Sequence, residues 1–183
     1  TIWQNRYMNY LIVGASSGLG RDLAYTLSKD ANNLTLISRD IRDLNVIKSD
    51  IESLYQTKVN TYSVDLASTT SVVTFLNNKE IEFSLLDGVL FPIGMMSDKD
   101  FITGLNDNAE KINNANFLSI VKFVEKITPF FKKRNNGLII GFSSVASSLG
   151  RKKNIIYSAS KRALNSYFES LLATFKSSNI NVQ

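Results

Sequence analysis

The chain has 183 residues, 21 basic and 16 acidic side chains for a net charge of +5, and neither cysteine nor histidine. Those two zeros exclude disulfides, thiolate nucleophiles, cysteine-ligated metals, Ser-His-Asp triads and imidazole bases, leaving proton chemistry to tyrosine, lysine or carboxylates. With 44% hydrophobic and 20% charged residues, the composition is that of a folded globular protein, and the length predicts a single domain over residues 8–183.

Residues 1–7 read as a short N-terminal extension before Met8. No run reaches the roughly 18 apolar residues of a membrane helix, and the N-terminus lacks a secretory pattern, so a cytoplasmic protein that does not cross a membrane is expected. Apolar runs and helical periods then alternate. Strands are predicted at residues 10–13, 34–37, 59–64, 85–91 and 138–142, with the start of a sixth at 180–182. Helices are predicted at 18–29, 41–55, 69–77, 107–133 and 158–176. In the long helix Phe117, Ile120, Val121, Val124, Ile127 and Phe131 fall at spacings of three and four. Strands alternating with helices of this size indicate repeated βαβ units: an α/β, doubly wound parallel sheet with helices on both faces. Several strands are continuously apolar, as expected when both faces are buried.

Lys132-Lys133-Arg134 and Arg151-Lys152-Lys153 are short basic clusters at turns or helix ends without interleaved aromatics. They read as solvated surface, or as contacts to a phosphate-bearing small ligand, rather than as a nucleic-acid interface.

The first strand runs into Gly14-Ala15-Ser16-Ser17-Gly18-Leu19-Gly20, which opens the first helix. Gly14 permits the tight turn, Gly18 lets a phosphate approach the backbone amides, and Gly20 lets the helix pack on the sheet with its N-terminus facing the anion. A glycine turn that only joins strand to helix would look the same locally. The GxxxGxG spacing resembles that of the short-chain dehydrogenase/reductase family, apart from Val13 where that family usually has Thr. The resemblance implies a Rossmann fold, a nicotinamide cofactor, and Gly14, Ser16, Ser17, Gly18, Leu19 and Gly20 as cofactor contacts.

In dinucleotide folds an acid at the end of the second strand holds the adenosine 2′-hydroxyl, whereas an arginine accommodates a 2′-phosphate. Here Ser38-Arg39 stand at that place and Asp40 only follows, so NADP(H) is favoured over NAD(H). Arg39 also fits as a plain surface residue. Asp65-Leu66 match the family's adenine contact, although an Asp there equally suits a helix cap.

Tyr157-Ser158-Ala159-Ser160-Lys161 form a YxxxK. Tyr25 and Lys29 fit the same spacing but follow no strand-end serine. Tyr157 lies thirteen residues after Ser144, at the end of the fifth strand, and Asn116 lies thirteen before Pro129; both intervals resemble the family's own. A tyrosine with an ordinary pKa of about 10 is a poor acid–base group, and a lysine one helical turn away stabilises its phenolate. The family implies that Lys161 also bonds the nicotinamide ribose, that Tyr157 exchanges a proton with the substrate, that Ser144 polarises the carbonyl, and that Asn116 holds a water feeding Lys161. No metal is called for.

Where the family reads Asn-Asn-Ala-Gly, this chain has Phe91-Pro92-Ile93-Gly94, keeping only Gly94. The sequence stops at the start of the sixth strand, where members of that family continue, so the C-terminal part of the family's fold is expected to be missing. The segments Ile93-Gly94-Met95-Met96-Ser97-Asp98 and Gly150 to Tyr157 resemble the subgroup that reduces keto-sugars on nucleotide or polyprenyl-phosphate carriers, decaprenylphosphoryl keto-pentose reductase being the example. The expected activity is therefore NADP(H)-dependent reduction of a carbonyl, or oxidation of a secondary alcohol, on a small-molecule substrate. Reduction of a 3-oxoacyl thioester, or dinucleotide binding without turnover by a scaffold or sensor, are the alternatives. The resemblance also implies a homo-oligomer, a dimer or tetramer.

Overall fold

A computed structural model of the chain describes residues 7–30, 32–79, 81–97, 108–150 and 153–183. Six strands, β1 (Asn9–Val13), β2 (Asn33–Ser38), β3 (Val59–Ser63), β4 (Gly88–Phe91), β5 (Gly137–Gly141) and β6 (Ile180–Val182), form one parallel sheet in the order β3-β2-β1-β4-β5-β6. The helices are α1 (Gly18–Ser28), α2 (Ile41–Leu54), α3 (Thr69–Leu76), α4 (Asn108–Asn113), α5 (Ser119–Arg134) and α6 (Ile155–Phe175). A π-helical turn, Asn114–Leu118, joins α4 to α5.

The period of two along each strand sorts the core into two layers. Ile12, Leu34 and Leu36 pack under Ala24 of α1 and Leu44, Ile47 and Ile51 of α2. Leu11, Val13, Ile37, Val89, Phe91 and Ile139 point the other way, against α3, α5 and α6 through Phe75, Phe123, Ile127, Leu164 and Phe168. Phe75, Phe83, Phe91 and Phe123 meet edge-on or tilted at 5.8–6.1 Å in that larger layer. The chain winds outward from β1 to β3 and then returns to the other side at β4. This reversal opens a crevice beyond the carboxyl ends of β1 and β4, where ligands of such sheets bind.

Three expectations need correction. The fourth strand does not begin at residue 85: Phe83–Leu85 form a 3-10 turn and β4 starts at Gly88. The apolar run there reads as strand, but Arg134 from the end of α5 donates to the carbonyls of Ser84 and Leu86, holding them off the sheet. Helix α6 begins at Ile155 rather than Ser158, so Tyr157 is already inside its first turn. The predicted helix at 107–133 is continuous over 108–134 but widens into a π turn at Asn114–Leu118 instead of keeping one α period, and Asp107 itself lies outside the described residues.

The cluster Lys132-Lys133-Arg134 occupies the last turn of α5, where cations complement the helix dipole. Arg134 also stacks 4.8 Å over Phe131, and the Lys132 ammonium lies 5.6 Å over Phe175. Arg151, Lys152 and Asp98, named in the sequence reading, lie outside the described residues.

Candidate active site

All the loops singled out by sequence leave the sheet at its carboxyl edge. Gly14 and Gly18 adopt φ of +98° and +48°, conformations that glycine takes without strain. The amides of Gly14 and Ala15 both donate to the Ile37 carbonyl (2.8 and 3.0 Å), pinning the turn to β2. A Cβ at Gly20 would sit 2.0 Å from the Gly14 carbonyl oxygen, so the helix can approach the strand only with glycine there. A Cβ at Gly18 would meet nothing within 4 Å, so the turn faces open space. Ser17, Gly18 and Leu19 are exposed. Ser17 occupies the N-cap of α1 without making a side-chain cap bond, whereas Asp40 caps α2 and Ser68 caps α3. Of the three, α1 alone leaves its N-terminus without a side-chain acceptor, which suits an external anion.

Beside this turn, the hydroxyls of Ser16 and Ser38 share a hydrogen bond of 2.6 Å. Ser63 Oγ donates to the Arg39 carbonyl (2.8 Å), while the Arg39 side chain is exposed and meets no partner among the described residues. Asp40 is committed elsewhere. It accepts from the Arg42 amide (2.9 Å) and pairs with the Arg42 guanidinium (2.8 Å), and this partner holds its carboxyl at about 2. After β3, Asp65 Oδ1 accepts from the Ala67 amide (3.0 Å), and the actual cap of α3 is Ser68. Leu66 is half-buried against the larger core layer.

The altered segment after β4 is integrated into the core. Phe91 is fully buried and pairs in register with Gly141. The Ile93 side chain lies over Gly14, where a Cβ would come within 3.2 Å of its Cγ1. Asn116 is fully buried. Its Oδ1 accepts from the Met95 amide (2.7 Å), and its Nδ2 donates to the Met95 carbonyl (2.9 Å) and to Ser160 Oγ (3.1 Å). Two residues earlier in the same π turn, Asn114 Nδ2 donates to the Ala67 carbonyl (3.1 Å). The wider turn, in which the Ser119 amide bonds Asn114 O, carries both asparagines toward the strand-end loops.

Tyr157 and Lys161 lie one turn apart on α6 and both are buried. Tyr157 packs with Ile112, Ala146 and Met95, and a Cβ on Gly94 would stand 3.8 Å from its Oη. The Lys161 ammonium donates to the carbonyls of Ile93 and Phe142 (2.8 Å for the latter), bridging the segments that leave β4 and β5. Burial lowers its pKa to about 8. Ser144 caps a 3-10 turn (Val145–Ser147), its Oγ accepting from the Ala146 amide (3.2 Å). That bond uses a lone pair and leaves the hydroxyl proton to donate outward. The competing pair is disposed differently: Tyr25 Oη donates to Asp50 (2.6 Å) at the exposed contact of α1 with α2.

Sequence reasoning missed Ser147, Ser160 and Asn165. Ser160 Oγ donates to the Tyr157 carbonyl (2.8 Å), and Asn165 Nδ2 donates to Ser147 Oγ (2.9 Å). The signal for Asn165 was its position, four residues after Lys161 on the face that already carried Tyr157.

The short chain dehydrogenase family model matches residues 9–183. The chain is 27% identical over 163 residues to an NADP-dependent 3-hydroxy acid dehydrogenase of Schizosaccharomyces pombe, covering 88% of this chain and 63% of that protein. It is 28% identical over 181 residues to the very-long-chain 3-oxoacyl-CoA reductase of Rattus norvegicus, covering 94% and 56%. It therefore spans little more than half to two-thirds of the length of such relatives. Among solved structures, the bulky-bulky ketone specific alcohol dehydrogenase from Comamonas testosteroni superposes with a TM-score of 0.90 at 20% identity, over 98% of this chain and 72% of that one. A short-chain dehydrogenase from Sphingobium yanoikuyae in complex with NADPH superposes at 0.87, also 20% identical, over 96% and 69%; these likenesses show the shared fold. With a family model matched along nearly its whole length and the doubly wound sheet in place, the chain belongs to the short-chain dehydrogenase family.

Proposed function

We propose that this chain forms the cofactor-binding and proton-transferring part of an NADP(H)-dependent oxidoreductase that interconverts a carbonyl and a secondary alcohol. The observation that carries the reading is Lys161, a buried ammonium held between the ends of β4 and β5, one helical turn from Tyr157 at the mouth of the crevice. A nicotinamide dinucleotide, when bound, supplies or accepts the hydride. The uncapped N-terminus of α1 and the open space over Gly18 fit its diphosphate. Arg39, with Ser38 and Ser16 beside it, fits a 2′-phosphate, and Asp40 does not oppose that charge because Arg42 and the start of α2 neutralise it. Asp65 and Leu66 would flank the adenine, and Gly94 the nicotinamide side.

In reduction, Ser144 donates its free hydroxyl proton to the substrate carbonyl, Tyr157 gives a proton to the oxygen as it becomes an alkoxide, and Lys161 stabilises the phenolate left behind. Asn116 acts at a distance, fixing Met95 and, through Ser160, the start of α6; a water carried there would feed a proton to Lys161 as Lys161 passes one on to the Tyr157 phenolate.

The substrate class best supported is a 3-oxoacyl or 3-hydroxy acid compound. Relatives at 27–28% identity act on such molecules by name, and Val145, Leu149 and Met96, exposed apolar side chains near Ser144 and Gly94, favour an apolar substituent. Of the anion contacts named for the keto-sugar reading, Lys153 is among the described residues and Arg151 and Lys152 lie outside them. The test is oxidation of NADPH and NADH by full-length protein against 3-oxoacyl thioesters, simple ketones and keto-sugars. NADPH turnover that falls roughly 100-fold or more in Tyr157→Phe supports the reading; undiminished turnover in Tyr157→Phe, or tight NADPH binding with no turnover on any carbonyl, rejects it.

A further inference from the structure

Lys161 and Tyr157 are fixed by the helix that carries them, but Ser144 belongs to a different element and must be aimed at the same point. The residue that aims it is legible from hydrogen bonds. Ser147, buried at the end of the 3-10 turn, donates its hydroxyl proton to the Ser144 carbonyl (2.6 Å). Its oxygen accepts from Asn165 Nδ2 (2.9 Å) and from Ser143 Oγ (3.3 Å). A hydroxyl has one proton and two lone pairs, so this one is saturated, and its proton is committed to Ser144 because donors occupy both other directions. The turn itself adds the Ser147 amide to the Ser144 carbonyl (2.9 Å). Asn165 lies one turn beyond Lys161, so residues 157, 161 and 165 share one face of α6.

We propose that Asn165 is a positioning residue: acting through Ser147, its amide locks the turn that aims the Ser144 hydroxyl and keeps it in register with Tyr157 and Lys161 on the same helix. The proposal rests on the oxidoreductase reading given above for its effect on rate, but not for its effect on the turn. The amide matters as a donor. With a carboxylate of the same shape at position 165, the Ser147 hydroxyl would turn its proton toward the carboxylate and release the Ser144 carbonyl.

The experiment compares Asn165→Asp, Asn165→Gln, Ser147→Ala and the double variant Asn165→Asp/Ser147→Ala in full-length protein. Three quantities are read: kcat for NADPH-dependent reduction of the best carbonyl found, the Kd for NADPH, and amide hydrogen exchange over residues 143–148. The expected result is a loss of roughly tenfold or more in kcat for Asn165→Asp, with KM and the NADPH Kd within about twofold of wild type. Asn165→Gln, which keeps the donor on a longer arm, recovers part of that rate. The double variant is no slower than Ser147→Ala alone, since the amide acts only through that hydroxyl. Exchange over residues 143–148 quickens in Asn165→Asp while the rest of α6 keeps its protection. Equal losses from Asn165→Asp in the wild-type and Ser147→Ala backgrounds, or a wild-type kcat in Asn165→Asp, overturn the proposal. If the wild-type protein turns over no carbonyl, the oxidoreductase reading fails, and exchange alone decides: unchanged protection of 143–148 in Asn165→Asp overturns the positioning role, and quickened exchange supports it.

Discussion

Replacing Lys161 by methionine removes a charge that the fold encloses almost completely, since this side chain is 1% exposed. Burial lowers its pKa from 10.5 to about 8, so the folded protein holds the proton less tightly than the unfolded chain does. Below about pH 8 both states are protonated, and folding carries the whole cost of enclosing the ammonium. Between about pH 8 and 10.5 the folded lysine is neutral while the unfolded one stays charged, and stability rises with pH across that window. At roughly 1.4 kcal/mol per pH unit, the interval amounts to about 3 kcal/mol. Methionine keeps the apolar stem but leaves the Ile93 and Phe142 carbonyls without their donor, a cost of about 1–3 kcal/mol each that does not vary with pH. The unfolding free energy of wild type minus that of Lys161→Met should therefore increase by about 3 kcal/mol from pH 7 to pH 10.5. Urea unfolding of both full-length proteins at half-unit steps of pH measures it. A difference that stays flat over this range refutes the assignment of the buried charge.

Gly20→Ala should destabilise the protein by several kcal/mol and abolish dinucleotide binding, because the new methyl meets the backbone of Gly14 and Ala15 rather than a side chain that could move; urea unfolding and a fluorescence titration with NADPH check both. Arg39→Ser should weaken NADPH roughly 10-fold to 100-fold while leaving NADH within twofold, as expected for loss of one charge-assisted contact to the 2′-phosphate, and paired titrations measure the ratio. Asn116→Ala removes three hydrogen bonds of a fully buried side chain at once and strands both backbone groups of Met95. A loss of about 2–4 kcal/mol in unfolding free energy is expected, and a loss below about 1 kcal/mol would mean that water replaces the amide.

What the sequence disclosed depended on how far each signal reached along the chain. Strands buried on both faces announce themselves as short apolar runs, so β1, β2 and β5 appear within a residue of their predicted bounds. The glycine turn and the Tyr157–Lys161 pair are each local in sequence and local in space, so their local geometry follows from the spacing alone. The start of β4 misled because its apolar run is drawn into a 3-10 turn by Arg134, nearly fifty residues away. Asn116 was found by its interval to Pro129, but the π turn that orients it has no periodic signature: the apolar spacings of α5 remain regular on its far side. Ser147 and Asn165 escaped for a similar reason, since a hydroxyl shared between two elements leaves no pattern in either. Tyr25 and Lys29 show the converse: a motif match with the right spacing and none of the surroundings, the Tyr25 hydroxyl being spent on Asp50 at an exposed helix contact.

The π turn has a consequence for how this chain tolerates change. Between α4 and α5 it represents one surplus residue in an otherwise continuous helix. Deleting that residue would close the turn to the α register with the flanking helices kept in place, so the change would fall inside the turn and move Asn114 and Asn116 off Ala67 and Met95. A single-codon deletion here would thus detach two loops on opposite sides of β1, whereas most single substitutions nearby would detach neither. The same arrangement makes those loops mechanically dependent. Ala67 and Met95 hang from one turn of helix, so stiffening either end of the crevice loads the support of the other through the helix rather than through the sheet.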